Sequence, residues 1–421
     1  MNASEKKLLL NKIPQKAWSF IKSRTIVKIQ SRIDDRKAAR ELGEWQNKRR
    51  RASDIIRCCF VVQMPELWNK QSSVYDLMSR DSRFETWMII VPHYQVDKKC
   101  LGDYGDELQF FEAECKNGNI LYALNNGKWN EIDLKQFDYV FFQRPYDWYL
   151  PEAVKSSNAV GKAGVCYIPY ATPEMKKTVI YPKSFFRNIY LGFMEDGHAA
   201  DFNSKRFGKT SRIGTQRFLN VGYPSFESCM ALSHECLYKR VLWTPRWSYD
   251  PIVGGSHFVE YVQPLMDYDW GDAKLSVRPH PMMWKEFIRI GKMTQQQIDE
   301  LCIKWKKLGI TQDMNKDIEV TFQETDILIS DNSSVIPMFF MTGKPIIYCE
   351  FAIEYSSLFA TVLPGLYIAR NWDDVEKYLN QLLQHDDPLI TVRQQIIEEN
   401  FSMHNNATKH IVETIISDFF N

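Results

Sequence analysis

The residues most suited to chemistry follow an apolar run near residue 330. Four polar residues come directly after Ile327-Leu328-Ile329-Ser330, namely Asp331, Asn332, Ser333 and Ser334. These residue types cap helices, so the pattern predicts a strand that ends at Ser330 and a helix that begins near Ser333. A helix start at the carboxyl end of a strand binds phosphate in open α/β sheets through its free N–H groups. The pattern therefore predicts a phosphate site, and an ordinary capped helix is the alternative.

Arg278 and His280 lie in a second motif, Arg278-Pro279-His280-Pro281, directly after a predicted strand at residues 274–277. Histidine titrates near neutrality, so His280 can donate a hydrogen bond or a proton to a departing phosphate. The guanidinium fork of Arg278 fits phosphoryl oxygens. Both residues are expected on the same sheet edge as Ser333.

Arg246 follows another predicted strand, at residues 241–243, in the motif Thr244-Pro245-Arg246-Trp247. Its position at the end of that strand makes it a second candidate phosphate ligand. A solvated loop arginine is the alternative interpretation.

A polar motif in the amino-terminal half, Gln143-Arg144-Pro145-Tyr146-Asp147, follows a predicted strand at residues 139–142. The motif is expected to face the same cleft as the phosphate site. Asp147 is a candidate to orient an acceptor hydroxyl, and capping of the next helix is the alternative. Arg144 is a second candidate on the acceptor side.

Short apolar runs alternate with helical stretches from residue 55 onward, which predicts mostly parallel sheets covered by helices. The predicted strands are residues 55–62, 86–91, 139–142, 165–168, 218–221, 241–243, 274–277, 318–321, 327–329 and 345–348. The predicted helices include residues 65–78, 258–268, 294–308, 335–341, 373–384 and 391–418, and residues 120–136 are predicted to form a local hairpin.

The length of 421 residues exceeds what one ordinary hydrophobic core supports. The fold class is therefore predicted as α/β, with two Rossmann-like, doubly wound domains that face each other across a cleft. Residues 53–235 are assigned to the first domain and residues 236–421 to the second. Residues 1–52 are predicted to be a basic helical extension.

The near-neutral net charge of +1 hides a strong asymmetry. Residues 1–52 contain fifteen lysines and arginines and five acids, a charge of +10, so the remaining residues carry −9. A basic helix with Ile26, Ile29 and Ile33 on one side suits an anionic membrane surface. A surface helix packed on the body is the alternative. Nucleic acid is not expected as a partner, because no binding module or aromatic-rich basic sheet follows.

The remaining composition excludes several classes of protein. No apolar stretch reaches the 18 residues that a membrane-spanning helix needs, and lysines interrupt the apolar residues near the amino terminus. The nine cysteines are scattered without a Cys-x-x-Cys pair, so neither a disulfide framework nor a zinc site is expected. A reducing cytoplasm is the predicted compartment.

Several motifs together carry a family resemblance. They are Thr244-Pro245-Arg246-Trp247, Arg278-Pro279-His280-Pro281, the segment 326–334, Gly343-Lys344-Pro345-Ile346-Ile347-Tyr348 and Gly222-Tyr223-Pro224. This set resembles the CDP-glycerol glycerophosphotransferase family, whose enzymes build teichoic-acid and capsule-like polymers. The resemblance covers roughly residues 137–350 and is densest over 241–350.

The resemblance implies a GT-B fold in which the second domain holds the nucleotide. His280 and the helix start at Ser333 and Ser334 would contact the donor pyrophosphate. A lipid-linked or glycan acceptor hydroxyl would attack the phosphate that bears the polyol of CDP-glycerol or CDP-ribitol, and CMP would leave. No metal or other cofactor is implied. The expected location is the inner face of the bacterial cytoplasmic membrane, with residues 1–52 on its anionic surface.

One motif departs from the family pattern. Family members carry Trp-His-Gly-Thr-Pro with a proposed general base, whereas this chain has Tyr170 where that histidine would be. Tyrosine, with a reference pKa near 10, is a poor base at pH 7. Either Glu174, Asp147 or His93 acts as the base, or the transferred group differs.

Two other functions therefore remain open. The first is a glycosyltransferase that uses a nucleotide sugar for capsule or lipopolysaccharide synthesis. The second is a non-catalytic scaffold that recruits partners to the membrane. The sequence also leaves open whether the chain forms a homo-oligomer.

Overall fold

The computed structural model describes residues 15–48, 54–95, 100–173, 182–232, 234–249, 255–351 and 353–420, and in the first helix the side chains from residue 26. Two parallel sheets dominate these ranges. The first has seven strands in the order β11-β10-β9-β8-β1-β2-β5, and the second has six in the order β14-β13-β12-β15-β16-β17. The predicted α/β class with two doubly wound sheets is confirmed.

The strands of the first half are β1 (Ile56–Val62), β2 (Phe84–Ile90), β3 (Tyr94–Gln95), β4 (Cys100–Leu101), β5 (Ile120–Tyr122), β6 (Leu124–Asn125), β7 (Lys128–Trp129), β8 (Tyr139–Phe142), β9 (Gly164–Tyr167), β10 (Leu191–Phe193) and β11 (Arg217–Leu219). The strands of the second half are β12 (Arg240–Thr244), β13 (Lys274–Val277), β14 (Thr311–Gln312), β15 (Ile327–Ser330), β16 (Ile346–Cys349) and β17 (Tyr367–Ala369).

The helices are α1 (Gln15–Lys48), α2 (Ser72–Arg80), α3 (Asp106–Glu114), α4 (Ser156–Ala159), α5 (Lys183–Phe186), α6 (Gly197–Arg206), α7 (Gly208–Arg212), α8 (Pro224–Met230), α9 (Phe258–Asp267), α10 (Met283–Arg289), α11 (Gln295–Lys307), α12 (Ile318–Gln323), α13 (Val335–Phe340), α14 (Ser357–Val362), α15 (Trp372–Leu383), α16 (Ile390–Phe401) and α17 (Ala407–Phe420). Among the 3-10 turns between them are Pro65–Lys70, Asp147–Tyr149 and Ser402–Asn406.

Both faces of the sheets are buried, which explains the continuous apolar runs of the strands. In β1, Phe60 and Val62 point into one hydrophobic cluster, whereas Val61 points into another on the opposite face. The cluster around Phe60 also contains Leu242 and Leu328 of the second sheet. One continuous apolar core therefore joins the two halves of the molecule.

One predicted strand is wrong. Residues 318–321 form the start of helix α12, Ile318–Gln323. The side chain of Asp317 accepts a hydrogen bond from the N–H of Glu319 and caps this helix. The β-branched residues favoured a strand locally, but only Thr321 and Phe322 of this helix are fully buried.

The long helix predicted at residues 391–418 is also wrong, because it is broken into α16 and α17 at the turn Ser402–Asn406. His404 lies buried in this turn, and its Nδ1 accepts a hydrogen bond from the N–H of Tyr223 at 2.9 Å. The turn sends α17 back toward the first sheet. Gly222 lies against the start of α17 with φ of +100°, where a Cβ atom would come within 2.7 Å of the Cβ of Ala407.

Smaller elements partly match the predictions. The hairpin predicted within 120–136 is present as β6 and β7, but residues 120–122 instead add strand β5 to the first sheet. The helix predicted at residues 65–78 is a 3-10 turn followed by α2. The sequence prediction missed the short strands β3, β4, β10, β14 and β17.

Helix α1 combines a docked part with an exposed one. Ala38, Leu42 and Trp45 are buried, and the Trp45 ring contacts the Tyr190 ring at 4.9 Å between centroids. Ile29 and Ile33, in contrast, are 52% and 53% exposed. Residues 1–14 and 49–53, which carry part of the predicted basic extension, lie outside the described residues. No helix in the described ranges is both long and apolar enough to cross a membrane.

Helix α17 is anchored on the first sheet by the carboxylate of Asp418. Its Oδ2 accepts a hydrogen bond from the hydroxyl of Tyr139 at 2.5 Å, and its Oδ1 accepts one from Tyr190 at 2.7 Å. The guanidinium of Arg217 pairs with the same carboxylate. The chain thus changes sheets between Leu219 and Arg240 and returns to the first sheet at its last described helix.

Asp418→Ala is expected to lower the free energy of unfolding by about 3 kcal/mol, because it leaves Arg217 and two tyrosine hydroxyls without their carboxylate. Chemical denaturation measures the loss. Glu413→Ala, on the same helix but with an exposed pair to Lys409, is the matched control and should change stability by less than about 0.5 kcal/mol. Equal denaturation midpoints for the two variants would contradict the anchoring role.

Candidate functional site

The order of strands reverses at one point in each sheet. In the second sheet the chain runs outward from β12 through β13 to β14, and then crosses back to place β15 on the other side of β12. The crevice outside the carboxyl ends of β12 and β15 is therefore a topological switch point, where open α/β sheets bind ligands. Thr244 and Ser330 end these strands, and their hydroxyls hydrogen-bond at 2.7 Å.

Asp331 is a fully buried carboxylate at the centre of this crevice. Its Oδ2 accepts a hydrogen bond from the N–H of Arg246 at 2.8 Å, and its Oδ1 contacts Nδ1 of His257 at 2.7 Å. The N–H of His257 also donates to the carboxylate at 3.3 Å. Asp331, predicted as a phosphate ligand, is thus occupied by protein donors and instead positions the loop after β12 and the start of α9.

His257 is a site residue that the sequence analysis missed. Its ring lies 4.9 Å from Tyr261 and 4.2 Å from Phe351, measured between centroids. The only local signal was its place directly before the predicted helix at residues 258–268. Its role depends on a carboxylate 74 residues away, which no local pattern reveals.

Arg246 and Asn332 supply polar groups on the crevice wall. The guanidinium of Arg246 donates a hydrogen bond to the carbonyl oxygen of Asn332. The side-chain amide of Asn332 is buried, and neither its oxygen nor its nitrogen has a hydrogen-bond partner among the described residues. Buried polar groups of this kind are normally paired, so a bound polar ligand would satisfy this amide.

His280 presents a defined donor to the crevice. Its Nδ1 accepts a hydrogen bond from the N–H of Met282 at 3.1 Å, which places the proton of the neutral ring on Nε2. His280 is exposed, and its ring lies 5.8 Å from the Trp247 ring. Desolvation by the surrounding protein, and secondarily the Arg246 charge, lower the pKa of His280. The neutral ring that accepts at Nδ1 has its hydrogen-bond donor at Nε2.

Ser333 and Ser334 lie directly before helix α13, as predicted, and both are half-buried. The Ser333 hydroxyl accepts a hydrogen bond from the N–H of Val335 at 3.3 Å. Helix α13 has six residues, so the field at its amino end is that of a short helix.

Arg278 is not brought together with the crevice residues. Its guanidinium pairs with Asp313 and donates to the Thr321 hydroxyl at 3.3 Å. Thr321 also donates to the Asp313 carboxylate. The sequence placed Arg278 at the correct strand end, but this acid after β14 occupies its charge.

One group of side chains in the described ranges has the atom types of a metal site. Ligand atoms of His257, Asp331 and Cys349 lie within 4.8 Å of one another. The Asp331 oxygens, however, already accept hydrogen bonds from His257 and Arg246. His257 and Asp331 are therefore hydrogen-bonded to each other. The protein donors around Asp331 already occupy the carboxylate oxygens that a cation would bind.

The first sheet has its switch point between β1 and β8. Two buried glutamines, Gln63 and Gln143, follow these strands and are hydrogen-bonded to each other. The Gln143 side-chain oxygen accepts hydrogen bonds from the N–H groups of Gln63 and Met64 at 3.0 and 2.8 Å. The Gln63 amide donates to the carbonyl oxygens of Pro92 and Tyr149. Gln63 was not predicted, because its partners lie in the segments after two other strands, β2 and β8.

Arg144 and Tyr170, both predicted on the acceptor side, lie at this edge. The Arg144 guanidinium donates to the Gln63 side chain and packs over the Tyr149 ring, 4.6 Å from its centroid. Burial lowers the pKa of Arg144. The Tyr170 hydroxyl lies 2.9 Å from the Tyr146 hydroxyl, so each tyrosine is the other's hydrogen-bond partner.

His93 forms an ion pair with a buried carboxylate at the same edge. Its Nδ1 lies 3.7 Å from Glu107, and its N–H donates to Glu107 at 3.1 Å. This carboxylate raises the pKa of His93. Burial favours a raised pKa for Glu107, but hydrogen bonds from His93 and the Gly105 N–H lower it to about 2. The His93 side chain is 40% exposed, so part of the ring is accessible to solvent.

Asp147 is held by the protein. Both of its oxygens accept hydrogen bonds from Ser156, at 2.8 Å from the N–H and 2.8 Å from the hydroxyl. Burial raises the pKa of Asp147. The geometry favours the capping alternative. Glu174, the third candidate base, lies outside the described residues.

The carboxyl edges of the two sheets meet across the cleft. The Ser356 hydroxyl, which follows β16, donates to the carbonyl oxygen of Pro173 after β9 at 2.6 Å. Lys316, which follows β14, pairs with Asp106 at the start of α3. These two contacts join the carboxyl edges of the two sheets, one of which carries Arg246 and His280 and the other Arg144 and Tyr170.

Comparison with known proteins identifies the fold. The sequence matches no protein-family model, and no curated protein matches it. Solved structures match across most of the chain. The wall teichoic acid polymerase TagF with CDPG is 11% identical, with a TM-score of 0.52, over 94% of this chain and 98% of that one. S. aureus MnaA with UDP is 13% identical, with a TM-score of 0.52, over 86% and 96%.

UDP-GlcNAc 2-epimerase from Neisseria meningitidis, bound to UDP-GlcNAc, is 9% identical, with a TM-score of 0.53, over 86% of this chain and 100% of that one. At these identities the likeness establishes the fold alone. The predicted GT-B architecture of two Rossmann-like domains is confirmed, and TagF stands among the structural neighbours, as the motif resemblance predicted.

Proposed function

We propose that this chain is a transferase of cell-surface polymer synthesis that moves a polyol phosphate from CDP-glycerol or CDP-ribitol to an acceptor hydroxyl. The observation that carries the proposal is the set of anion-binding groups at the second switch point, Arg246, His280 and Asn332. A nucleotide diphosphate fits such a crevice. The fold that this chain shares with TagF, solved with CDPG, supports the choice of donor.

The donor pyrophosphate would lie against the crevice residues of the second domain. Arg246 supplies a guanidinium for the phosphoryl oxygens, and the Nε2–H of neutral His280 supplies a hydrogen bond to the leaving phosphate. Ser333 and Ser334 add hydroxyl donors at the start of α13. The proposal includes no cofactor or resident metal, because these groups stabilise the phosphate charge themselves.

The acceptor hydroxyl would approach from the first domain, where we propose His93 as the base because its ring is partly exposed and pairs with Glu107. Its Nε2 takes the acceptor proton as the acceptor oxygen bonds to the phosphorus that bears the polyol. The bond from that phosphorus to the bridging oxygen breaks, and CMP leaves with the bond electrons. Glu107 holds Nδ1 of His93 and stabilises the imidazolium that forms.

A nucleotide-sugar glycosyltransferase is the second candidate. It is favoured by Tyr170, whose hydroxyl is bonded to Tyr146 where the family pattern has a histidine. Two structural neighbours, MnaA with UDP and the Neisseria epimerase with UDP-GlcNAc, also carry uridine nucleotides. Both candidate functions use a nucleotide-activated donor. The nucleobase of the donor that binds therefore distinguishes the two functions.

The acceptor is proposed to be lipid-linked or a glycan, at the inner face of the cytoplasmic membrane. Helix α1 supports this placement, since Ile26, Ile29 and Ile33 are more than half exposed. Arg32 and Arg36 on the same segment are also exposed. Exposed apolar and basic side chains on one helix suit an anionic bilayer surface.

CDP-glycerol is expected to raise the melting temperature of the protein, since a ligand stabilises the state that binds it. His280→Ala should weaken CDP-glycerol binding about tenfold or more, because it removes a hydrogen bond to a charged group. His385→Ala is the control, since His385 is exposed beside Tyr238 at the opposite edge of the second sheet. Stabilisation by UDP-sugars alone would favour the glycosyltransferase. No effect of any nucleotide, with biological activity retained by His280→Ala, would favour the scaffold.

His93→Gln is expected to lower kcat about a hundredfold while leaving CDP-glycerol affinity unchanged. In the parent protein kcat should rise with pH as the His93 imidazolium loses its proton. The midpoint should lie above 6.5, because Glu107 raises the pKa. The variant should lack this limb of the pH profile. An unchanged profile in steady-state assays would exclude His93 as the base.

Substitution of Ile26, Ile29 and Ile33 together by glutamate should abolish sedimentation with vesicles of anionic phospholipid. The change removes exposed apolar contacts and adds like charge to the bilayer. Ile303→Glu, at a residue 57% exposed on α11, is the control and should sediment like the parent protein. Unchanged sedimentation of the triple variant would contradict the membrane proposal.

A further inference from the structure

We propose that five aromatic rings at the carboxyl edge of the first sheet bind a sugar ring of the acceptor. These rings form the aromatic platform: Tyr94, Tyr146, Trp148, Tyr149 and Tyr170. The inference rests on the proposed function, because it takes the cleft to be the place where donor and acceptor meet. It narrows the acceptor to a molecule that presents a neutral or amino sugar rather than a bare polyol phosphate.

The platform rings pack on one another around Tyr146 and Tyr149. Centroids of Tyr146 and Trp148 lie 4.9 Å apart, and those of Tyr146 and Tyr149 lie 5.6 Å apart. Tyr94 adds a contact of 4.7 Å to Tyr149, and Tyr170 one of 6.0 Å to Tyr146. Three loops, after β2, β8 and β9, supply these rings, so tertiary structure brings them together.

The platform is partly exposed, unlike most aromatic side chains of the described residues. Trp148 is 52% exposed, and the four tyrosines are half-buried. Most other contacting rings, such as Phe60 with Phe141, belong to the core. The exposed indole of Trp148 packs against Tyr146 and Tyr149, and its accessible part can serve as a binding surface. The C–H groups on one side of a sugar ring pack on such an electron-rich face.

Hydrogen-bonding groups border the rings. The hydroxyls of Tyr146 and Tyr170 lie 2.9 Å apart, and each can both donate and accept. Such a pair suits the adjacent hydroxyls of a sugar, which also donate and accept. Ligand sites commonly combine aromatic rings with a few polar groups. The rings contact the apolar part of the ligand, and the polar groups fix its orientation.

Charge around the platform argues against a polyanion as the group bound there. The Arg144 guanidinium is engaged by Gln63 and covered by Tyr149. The neighbouring acid Glu107 pairs with His93, and Glu66 is close enough to act on the charges of both Arg144 and His93. The two acids Glu107 and Glu66 at least offset the charges of Arg144 and His93, so this edge has no excess of positive charge to attract a polyol-phosphate chain.

The platform lies where the two domains touch. Tyr170 is three residues before Pro173, whose carbonyl oxygen accepts the hydrogen bond from Ser356 of the second domain. A sugar stacked on the platform would thus have its hydroxyls at the mouth of the cleft, on the side of the first domain that also carries His93.

The test measures glycan binding by purified full-length chains. Arrayed neutral, amino and acidic oligosaccharides, with glycerol phosphate as the polyol probe, identify a ligand, and titration calorimetry gives its affinity. The parent protein is expected to bind a neutral or amino-sugar oligosaccharide. Trp148→Ala should weaken that binding about tenfold, while Trp148→Phe, which keeps a ring, should weaken it less than about threefold. Trp129→Ala, at an indole 44% exposed on the β6–β7 hairpin, is the matched control and should bind as the parent does.

Three results would overturn the inference. The first is the absence of binding to every neutral and amino-sugar oligosaccharide, and the second is a preference for glycerol phosphate. The third is equal binding by Trp148→Ala and Trp129→Ala. Nucleotide-dependent stabilisation, measured on the same preparations, separates this failure from failure of the proposed function. CDP-glycerol binding without glycan binding removes only the platform, and Trp148-dependent glycan binding without nucleotide binding removes only the donor assignment.

Discussion

The buried carboxylate of Asp331 is the constraint on which the crevice of the second domain depends. A buried charge is strongly unfavourable unless donors surround it, and here these come from the loop after β12 and from the start of α9. The position of the Arg246 backbone and the orientation of the His257 ring follow from this requirement. These hydrogen bonds therefore fix the arrangement of the crevice residues.

The corresponding crevice of the first domain is organised by neutral amides instead. Gln63 and Gln143 satisfy backbone groups at the ends of β1 and β8, and tyrosines and a tryptophan surround them. The two sides of the cleft thus differ in chemistry although their sheets share one topology. The first side carries the aromatic rings together with Arg144 and His93, whereas the second carries Arg246, His280 and the Ser333 and Ser334 hydroxyls.

The sequence predicted the central strands and the ends where function concentrates, because fully buried parallel strands leave continuous apolar runs. The prediction failed where contacts between residues far apart in the sequence determine the local structure. Residues 318–321 have a strand-like composition, yet a cap from Asp317 makes them helical. Arg278 stands at the predicted strand end, but Asp313 takes up its charge. His257 and Gln63 have partners on separate loops, and no local pattern could have indicated them.

The return of α17 to the first sheet has a consequence for biosynthesis. The first domain emerges from the ribosome before residues 407–420 are made. Tyr139, Tyr190 and Arg217 therefore lack the Asp418 carboxylate during that part of translation. Domains usually fold in order of synthesis. Here the first domain can complete its surface only after the second has emerged. A chain that stopped before α17 would leave Tyr139, Tyr190 and Arg217 without this carboxylate.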